Sequence, residues 1–201
     1  SGRSTMIVRH GDRYLGVLGL MDTPRPDAKA MLARLREIGI ERTIMLTGDN
    51  QAVADAVARE LGLTEARGDL LPEDKVTYVR ELAAGADRVA MVGDGVNDAP
   101  ALANATVGIA MGAGSSDVAL ETADVALMGD RLSALPFAVG LSRASKRVIR
   151  QNLFVSLGMV AVLIPATLFG LNLGLAVLFH EGSTLVVVAN ALRLLAYRTD
   201  P

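Results

Sequence analysis

Residues 153–169 (LFVSLGMVAVLIPATLF) carry no ionisable side chain. As a helix this run reaches about 25 Å, a short but membrane-length apolar segment. It divides the chain into unlike halves, because residues 1–150 hold nearly all the charge, in mixed sign. At 201 residues and 51% hydrophobic, the sequence suffices for one compact domain of ordinary size plus a part that prefers lipid to water. A second apolar segment, 173–195, returns to Arg193 and Arg198, while Arg143, Lys146, Arg147 and Arg150 precede the first. Basic residues at both outer ends describe a helical hairpin turning near 170–174, with residues 1–150 and the C-terminus on the cytoplasmic side of a plasma (inner) membrane.

Three further features narrow the class. The absence of cysteine leaves only oxygen and imidazole to hold a metal. A net charge of −2 argues against nucleic acid as the main partner. The start, SGRSTMIVRHGDRY, has neither an initiating Met nor the apolar core of a signal peptide, and reads as a chain cut mid-protein.

Along residues 1–135 the apolar pattern alternates. Residues 5–9 and 14–20 flank His10-Gly11-Asp12 as a hairpin. Pro24 and Pro26 precede a helix with Met31, Leu32, Leu35 and Ile38 at helical spacing and Gly39 at its end. Strands are expected at 42–46, 88–92, 106–110 and 124–128, and helices at 51–61, 73–84, 98–104 and from about 133. Continuous apolar strands separated by helices predict one α/β unit with a parallel sheet covered on both faces, whose ligands bind at the carboxyl ends of the strands.

The unusual residues stand at those ends. Strand 42–46 leads into Thr47-Gly48-Asp49-Asn50, where a hydroxyl and the free N–H groups of a helix N-terminus suit a phosphoryl group; the simpler alternative is a Gly-Asp turn with a helix cap. Strand 88–92 leads into Gly93-Asp94-Gly95-Val96-Asn97-Asp98-Ala99-Pro100. Its two carboxylates are hard ligands suited to Mg²⁺ shared with a phosphate; as a bare turn, Asp98 would only cap the next helix. Lys75, in Leu71-Pro72-Glu73-Asp74-Lys75, falls in the first turn of a helix, where a lysine alone is ordinarily solvated surface.

TGDN, PEDK and GDGVNDAPAL, in this order, resemble the phosphorylation domain of a P-type ATPase, a haloacid-dehalogenase-like Rossmannoid fold; the segment VGIAMGAGSSDVALETADVALM resembles the end of that domain in the heavy-metal branch. The resemblance spans roughly residues 5–197. It implies residues 1–21 as the end of a nucleotide-binding domain and hinge, 22–135 as the phosphorylation domain, and 136–201 as a linking helix and two transmembrane helices. By the same resemblance Asp94 and Asp98 hold Mg²⁺, with Asn97 completing the site. Thr47 and Gly48 contact the transferred phosphoryl, Asp49 shapes that loop, and Lys75 neutralises charge developing in transfer from ATP. The nucleophile belongs to a separate Asp-Lys-Thr-Gly-Thr motif that this sequence lacks. Asp22-Thr23 follows an apolar run, but Pro24 and Arg25 stand where Gly-Thr is expected, and the segment resembles the family's hinge.

Within the second apolar segment lies Phe179-His180-Glu181-Gly182-Ser183-Thr184. An ionisable residue there costs on the order of 3 kcal/mol on insertion scales, so it marks a pathway or binding site; the alternative is a pair at an interface with a neighbouring helix. Gly182 is expected to loosen the helix. HEGST resembles the motif in the last helix of cobalt-type heavy-metal ATPases, which implies His180, Glu181, Ser183 and Thr184 as ligands of a transported Co²⁺ or Zn²⁺. Asn190 is open between ligand support and helix packing, and Arg193 reads as a cytoplasmic anchor.

The expected function is the C-terminal part of an ATP-driven divalent heavy-metal (Co²⁺, Zn²⁺ or Cd²⁺) efflux pump, an enzyme in its full-length form, with ATP, Mg²⁺, the transported ion, the lipid bilayer and the N-terminal remainder of the pump as partners. The alternative is a short, non-catalytic membrane protein binding Mg²⁺, phosphate or a partner chain. A free-standing phosphatase fails for want of a nucleophilic Asp in the right context.

Overall fold

The computed structural model describes residues 4–20, 23–85, 88–93, 96–112, 117–129 and 131–198. Asp22 and Asp94 lie outside the described residues. The chain forms two compact units, residues 1–135 and 136–201.

The first unit opens with strands β1 (Ser4–His10) and β2 (Arg13–Leu20), an antiparallel hairpin turning on Gly11 at φ 59°. Neighbouring residues of a strand face opposite ways, and Met6 and Ile7 are both exposed, as are Tyr14 and Leu15, and Val17 and Leu18. Both faces of this ribbon therefore lack a packing partner among the described residues. Helix α1 (Ala28–Glu37) follows the prolines, buries Ala28, Leu32 and Leu35, and stops where Gly39 takes φ 83°.

The α/β part then runs β3 (Ile44–Leu46), α2 (Gln51–Leu61), β4 (Glu65–Arg67), α3 (Pro72–Ala84), β5 (Ala90–Gly93), a 3₁₀ turn (Val96–Asp98), α4 (Ala99–Asn104), β6 (Val107–Met111), α5 (Asp117–Thr122) and β7 (Val125–Leu127). Strand β3 pairs with β4, and β5, β6 and β7 pair in that order, all in parallel. The core centres on β6: Ala110 packs against Leu102 of α4, and Met111 against Ala28 and Leu132, with Val92 and Leu127 beside them. Gly108 allows this approach, because a Cβ there would lie 2.8 Å from the Leu102 carbonyl.

In place of the single expected sheet, the described strands form two parallel sheets, and among them β3 and β5 each pair along one edge only. Strand β4 and helix α5 add to the expected elements.

In the second unit, α6 (Ala134–Leu168, entering from the end of the first unit) and α7 (Leu173–Leu192) are long and apolar enough to cross a membrane. A 3₁₀ turn (Arg193–Ala196) follows. Asn172 accepts a hydrogen bond from Gly174 N (2.7 Å) and caps α7. The two helices are joined laterally by Asn190, whose Nδ2 donates to Gln151 Oε1 (3.1 Å) and Asn152 Oδ1 (2.9 Å), while Arg193 Nη1 donates to Asn190 Oδ1 (3.1 Å). Asn190 is thus a packing bridge between helices. Near the chain's end Tyr197 packs against Phe137 with ring centroids 5.8 Å apart and planes tilted by 51°, and fills the space a side chain at Gly140 would need.

Candidate active site

Strand β3 delivers Thr47, whose N–H donates to Arg67 O (3.0 Å) and so continues the parallel ladder by one residue. The Thr47 hydroxyl accepts from Asp49 N (3.1 Å) and donates to Asp49 Oδ2 (3.3 Å), folding Thr47-Gly48-Asp49 into a closed turn. Asn50 Oδ1 accepts from Val53 N (3.0 Å) and caps α2. The plain capping explanation therefore accounts for Asn50 and leaves the three preceding residues as a loop ahead of the helix.

A second loop, after β4, grips the first. Asp69 N donates to Asp49 O (2.6 Å), Leu70 N to Thr47 O (3.1 Å) and Gly68 N to Gln51 Oε1 (2.6 Å), while Asp69 Oδ2 accepts from Gln51 N (3.0 Å). A Cβ at Gly68 would lie 2.6 Å from Gln51 Cα, so only glycine permits this approach. Asp69 itself adopts φ 55°, the left-handed region. Sequence reasoning missed Gln51, Gly68 and Asp69. The available signal was Gly68-Asp69, a turn pair a few residues ahead of Pro72.

Helix α3 starts at Pro72, with Asp74 Oδ2 accepting from Leu71 N (2.9 Å). Lys75 in its first turn places Nζ 2.9 Å from Asp98 Oδ1, and the two side chains are only 17% and 18% exposed. Asp98 makes no capping hydrogen bond to α4, which separates it from the bare-turn alternative. Gly93 leaves room for its carboxylate, since a Cβ there would sit 2.7 Å from Asp98 Cβ. Asn97 stands exposed in the same 3₁₀ turn. Through the Leu70–Thr47 bond the approach to α3 adjoins the β3 loop, and through Lys75–Asp98 the helix adjoins the β5 turn. Thr47, Gly48 and Asp49 thus follow β3 and Asn97 and Asp98 follow β5, with Lys75 bonded to Asp98 alone of these.

The donor set fits Mg²⁺. Asp98 has one oxygen on Lys75 and a second beside Gly93, and Asn97 brings an amide oxygen. No group of three His, Asp or Glu converges among the described residues; Mg²⁺ does not need one, because it binds through one or two carboxylates with phosphate oxygens and water.

Flanking this site, Glu65 of β4 accepts from Tyr78 Oη (2.6 Å), Arg42 Nη2 (2.9 Å) and Arg67 Nε (2.8 Å). These partners, the Tyr78 hydroxyl foremost and then Arg42, hold its carboxyl at a pKa of about 2.

In the second unit His180, Glu181 and Thr184 are exposed and Ser183 is buried. Helix α7 runs unbroken through Gly182, contrary to the loosening expected there. The helix holds because Gly182 stays helical and the neighbouring hydroxyls bond within it: Ser183 Oγ donates to His180 O at 2.7 Å and Thr184 Oγ1 at 3.3 Å. At helical spacing His180, Ser183 and Thr184 share one face, and Glu181 lies about 100° around.

Residues 2–106 match the family model for haloacid dehalogenase-like hydrolases. Over 96% of its length the chain is 46% identical to a probable cadmium-transporting ATPase of Listeria monocytogenes and 45% identical to a cadmium-transporting ATPase of Staphylococcus aureus, covering 27% of each. It is 48% identical, over 96% of its length, to the probable cation-transporting ATPase G of Mycobacterium bovis, covering 25% of that protein. A zinc-transporting PIB-type ATPase solved in its E2.Pi state superposes with a TM-score of 0.86 at 46% identity, over 96% of this chain and 32% of that one. The chain thus spans about a quarter of the length of the curated relatives it matches.

Proposed function

The chain belongs to the haloacid dehalogenase-like hydrolase family, and on that premise we propose that it is the C-terminal part of an ATP-driven efflux pump for a divalent heavy-metal ion, Zn²⁺, Cd²⁺ or Co²⁺. ATP phosphorylates an aspartate in the upstream part of the protein, and the cycle moves the ion past α7. The observation that carries this reading is the shielded Lys75–Asp98 pair, which joins the first turn of α3 to the turn after β5. Phosphoryl transfer is mostly positioning and charge stabilisation, and these residues are of the kinds it uses. Thr47 and Gly48 bind the phosphoryl oxygens, Asp49 holds the turn closed, and Lys75 neutralises the developing charge while Asp98 fixes its ammonium. Asp98, with Asn97 and Asp94, would hold Mg²⁺, which would add positive charge at the phosphate oxygens.

Two features support a larger whole. The unpaired edges of β3 and β5 suit a strand between them supplied from the upstream part. The hairpin β1–β2, apolar on both exposed faces, suits the rim of a further domain, here a nucleotide-binding one. On α7, imidazole, carboxylate and hydroxyl oxygens suit a divalent ion of intermediate softness, with His180, Glu181, Ser183 and Thr184 as ligands. The hairpin α6–α7 lies in the plasma (inner) membrane, its basic ends cytoplasmic.

The test is phosphoenzyme formation by the full-length protein with labelled ATP and each metal in turn. Asp94→Asn abolishes the labelled intermediate, and Lys75→Met lowers its rate of formation by roughly a hundredfold. His180→Ala removes metal-stimulated ATP hydrolysis but keeps phosphorylation from inorganic phosphate. Normal labelling in Asp94→Asn, or an unchanged metal profile in His180→Ala, overturns the respective assignment.

A further inference from the structure

Between Asp130 and Glu181 the sequence contains no carboxylate, yet Arg143, Lys146, Arg147 and Arg150 stand at i, i+3, i+4 and i+7 of α6. That spacing places them on one face of the helix. Lys146, Arg147 and Arg150 are exposed, and none of the three makes an ion pair or side-chain hydrogen bond with another described residue. With Arg143, Gln151, Phe154 and Val155 they line an open groove of about 690 Å³. The groove therefore has a cationic end and an apolar end, and the apolar end leads into the charge-free run that begins at Leu153.

The rise of a helix fixes the depths. Arg150 lies about 5 Å, Arg147 about 9 Å and Lys146 about 10 Å before Leu153 along the axis. The headgroup layer of a bilayer occupies about 5–8 Å on each side of its hydrocarbon core, so long basic side chains at these positions reach phosphates by extending along the groove. Glu181, the one carboxylate of the two helices, lies nine residues before Asn190, the residue that bonds Gln151 and Asn152. It is therefore about 13 Å along α7 from that level. No counter-charge within the hairpin reaches the groove.

We propose that this groove binds the headgroup of an anionic glycerophospholipid, with Arg147 and Arg150 donating to the phosphodiester, Lys146 to a second anionic group, and an acyl chain lying along Phe154 and Val155. Scattered cations at a helix end orient a span; here three cations without a partner among the described residues share one face with an apolar continuation, which matches the two-part chemistry of a single lipid. The proposal rests on the membrane reading of α6 and α7 and not on pump turnover.

The experiment uses the full-length protein in nanodiscs of phosphatidylcholine, titrated with fluorescent phosphatidylglycerol and read by energy transfer to a label on the protein. Selective, saturable enrichment of phosphatidylglycerol is expected. Basic residues near an anionic surface contribute about 1 kcal/mol each, so Lys146→Gln, Arg147→Gln and Arg150→Gln each weaken it roughly fivefold. The charge-conserving set Lys146→Arg, Arg147→Lys and Arg150→Lys retains binding, which separates loss of charge from loss of fold. Inorganic phosphate at the same concentration does not displace the lipid if the acyl chain contributes. Equal enrichment of phosphatidylcholine, full displacement by inorganic phosphate, or wild-type binding after all three glutamine substitutions overturns the proposal. So does an absence of selectivity in the native protein, which would assign the face to another part of the same polypeptide.

Discussion

Asp69 combines two roles at one residue: its φ of 55° shapes the loop and its carboxylate caps Gln51 N. Asparagine tolerates that backbone region and keeps an oxygen acceptor, whereas alanine does neither. Asp69→Asn is therefore expected to leave stability within about 0.5 kcal/mol, and Asp69→Ala to cost about 2 kcal/mol, read from urea unfolding of the chain in detergent; equal losses in both would show that neither the backbone nor the acceptor matters. Glu65 carries the pH dependence. Its folded pKa of about 2 lies below the ordinary 4.5, so its contribution is fully present above 4.5 and is lost as pH falls toward 2. Glu65→Gln should cost about 1–2 kcal/mol at neutral pH, and the gap to wild type should close on acidification through that window. Lys75 and Asp98, which their motifs singled out in the sequence, form an ion pair. Asp69 and Gln51 could not be singled out so, because a lone Asp or Gln in a loop gives no sign of the backbone it will meet.

Among the elements, the strongly periodic ones were legible. Helices α1, α2 and α3 and the hairpin fall within a few residues of their expected limits because apolar spacing, prolines and Gly39 mark them. Strand β4 escaped notice because Glu65-Ala66-Arg67 has no apolar pattern, and it exists only by pairing with β3. Helix α5 was missed for its shortness, six residues between two apolar strands. The separation of β3–β4 from β5–β6–β7 was also illegible, since a sequence can show that strands are parallel-like without showing which edges meet. In the hairpin, Asn190 makes polar contacts from α7 to α6. Asn190→Leu removes them and leaves Asn152, Gln151 and Arg193 to find other partners. A loss of about 1 kcal/mol is expected, measurable by steric-trap unfolding in bicelles, with Asn190→Gln restoring part of it; an unchanged value would make the three bonds incidental.

Taken whole, the chain joins a charged α/β unit, in which β3 and β5 each keep an unpaired edge among the described strands, to an apolar hairpin. On the proposed reading, Thr47, Lys75 and Asp98 serve phosphoryl transfer only beside a nucleophile supplied from upstream. Expressed by itself in membranes, the 201-residue chain should incorporate no phosphate from labelled ATP, and co-expression with the upstream portion should restore labelling on that portion. Label on the chain alone would place the nucleophile within it. The brief turn at 169–172 between α6 and α7 has a consequence for biosynthesis. The charge-free part of α6 is short for a bilayer, and α7 carries His180 and Glu181 at its middle, so each is a poor candidate for insertion by itself. With only four residues between them and Asn190 ready to bond across, the two helices can leave the translocon together, each lowering the other's cost of entering lipid.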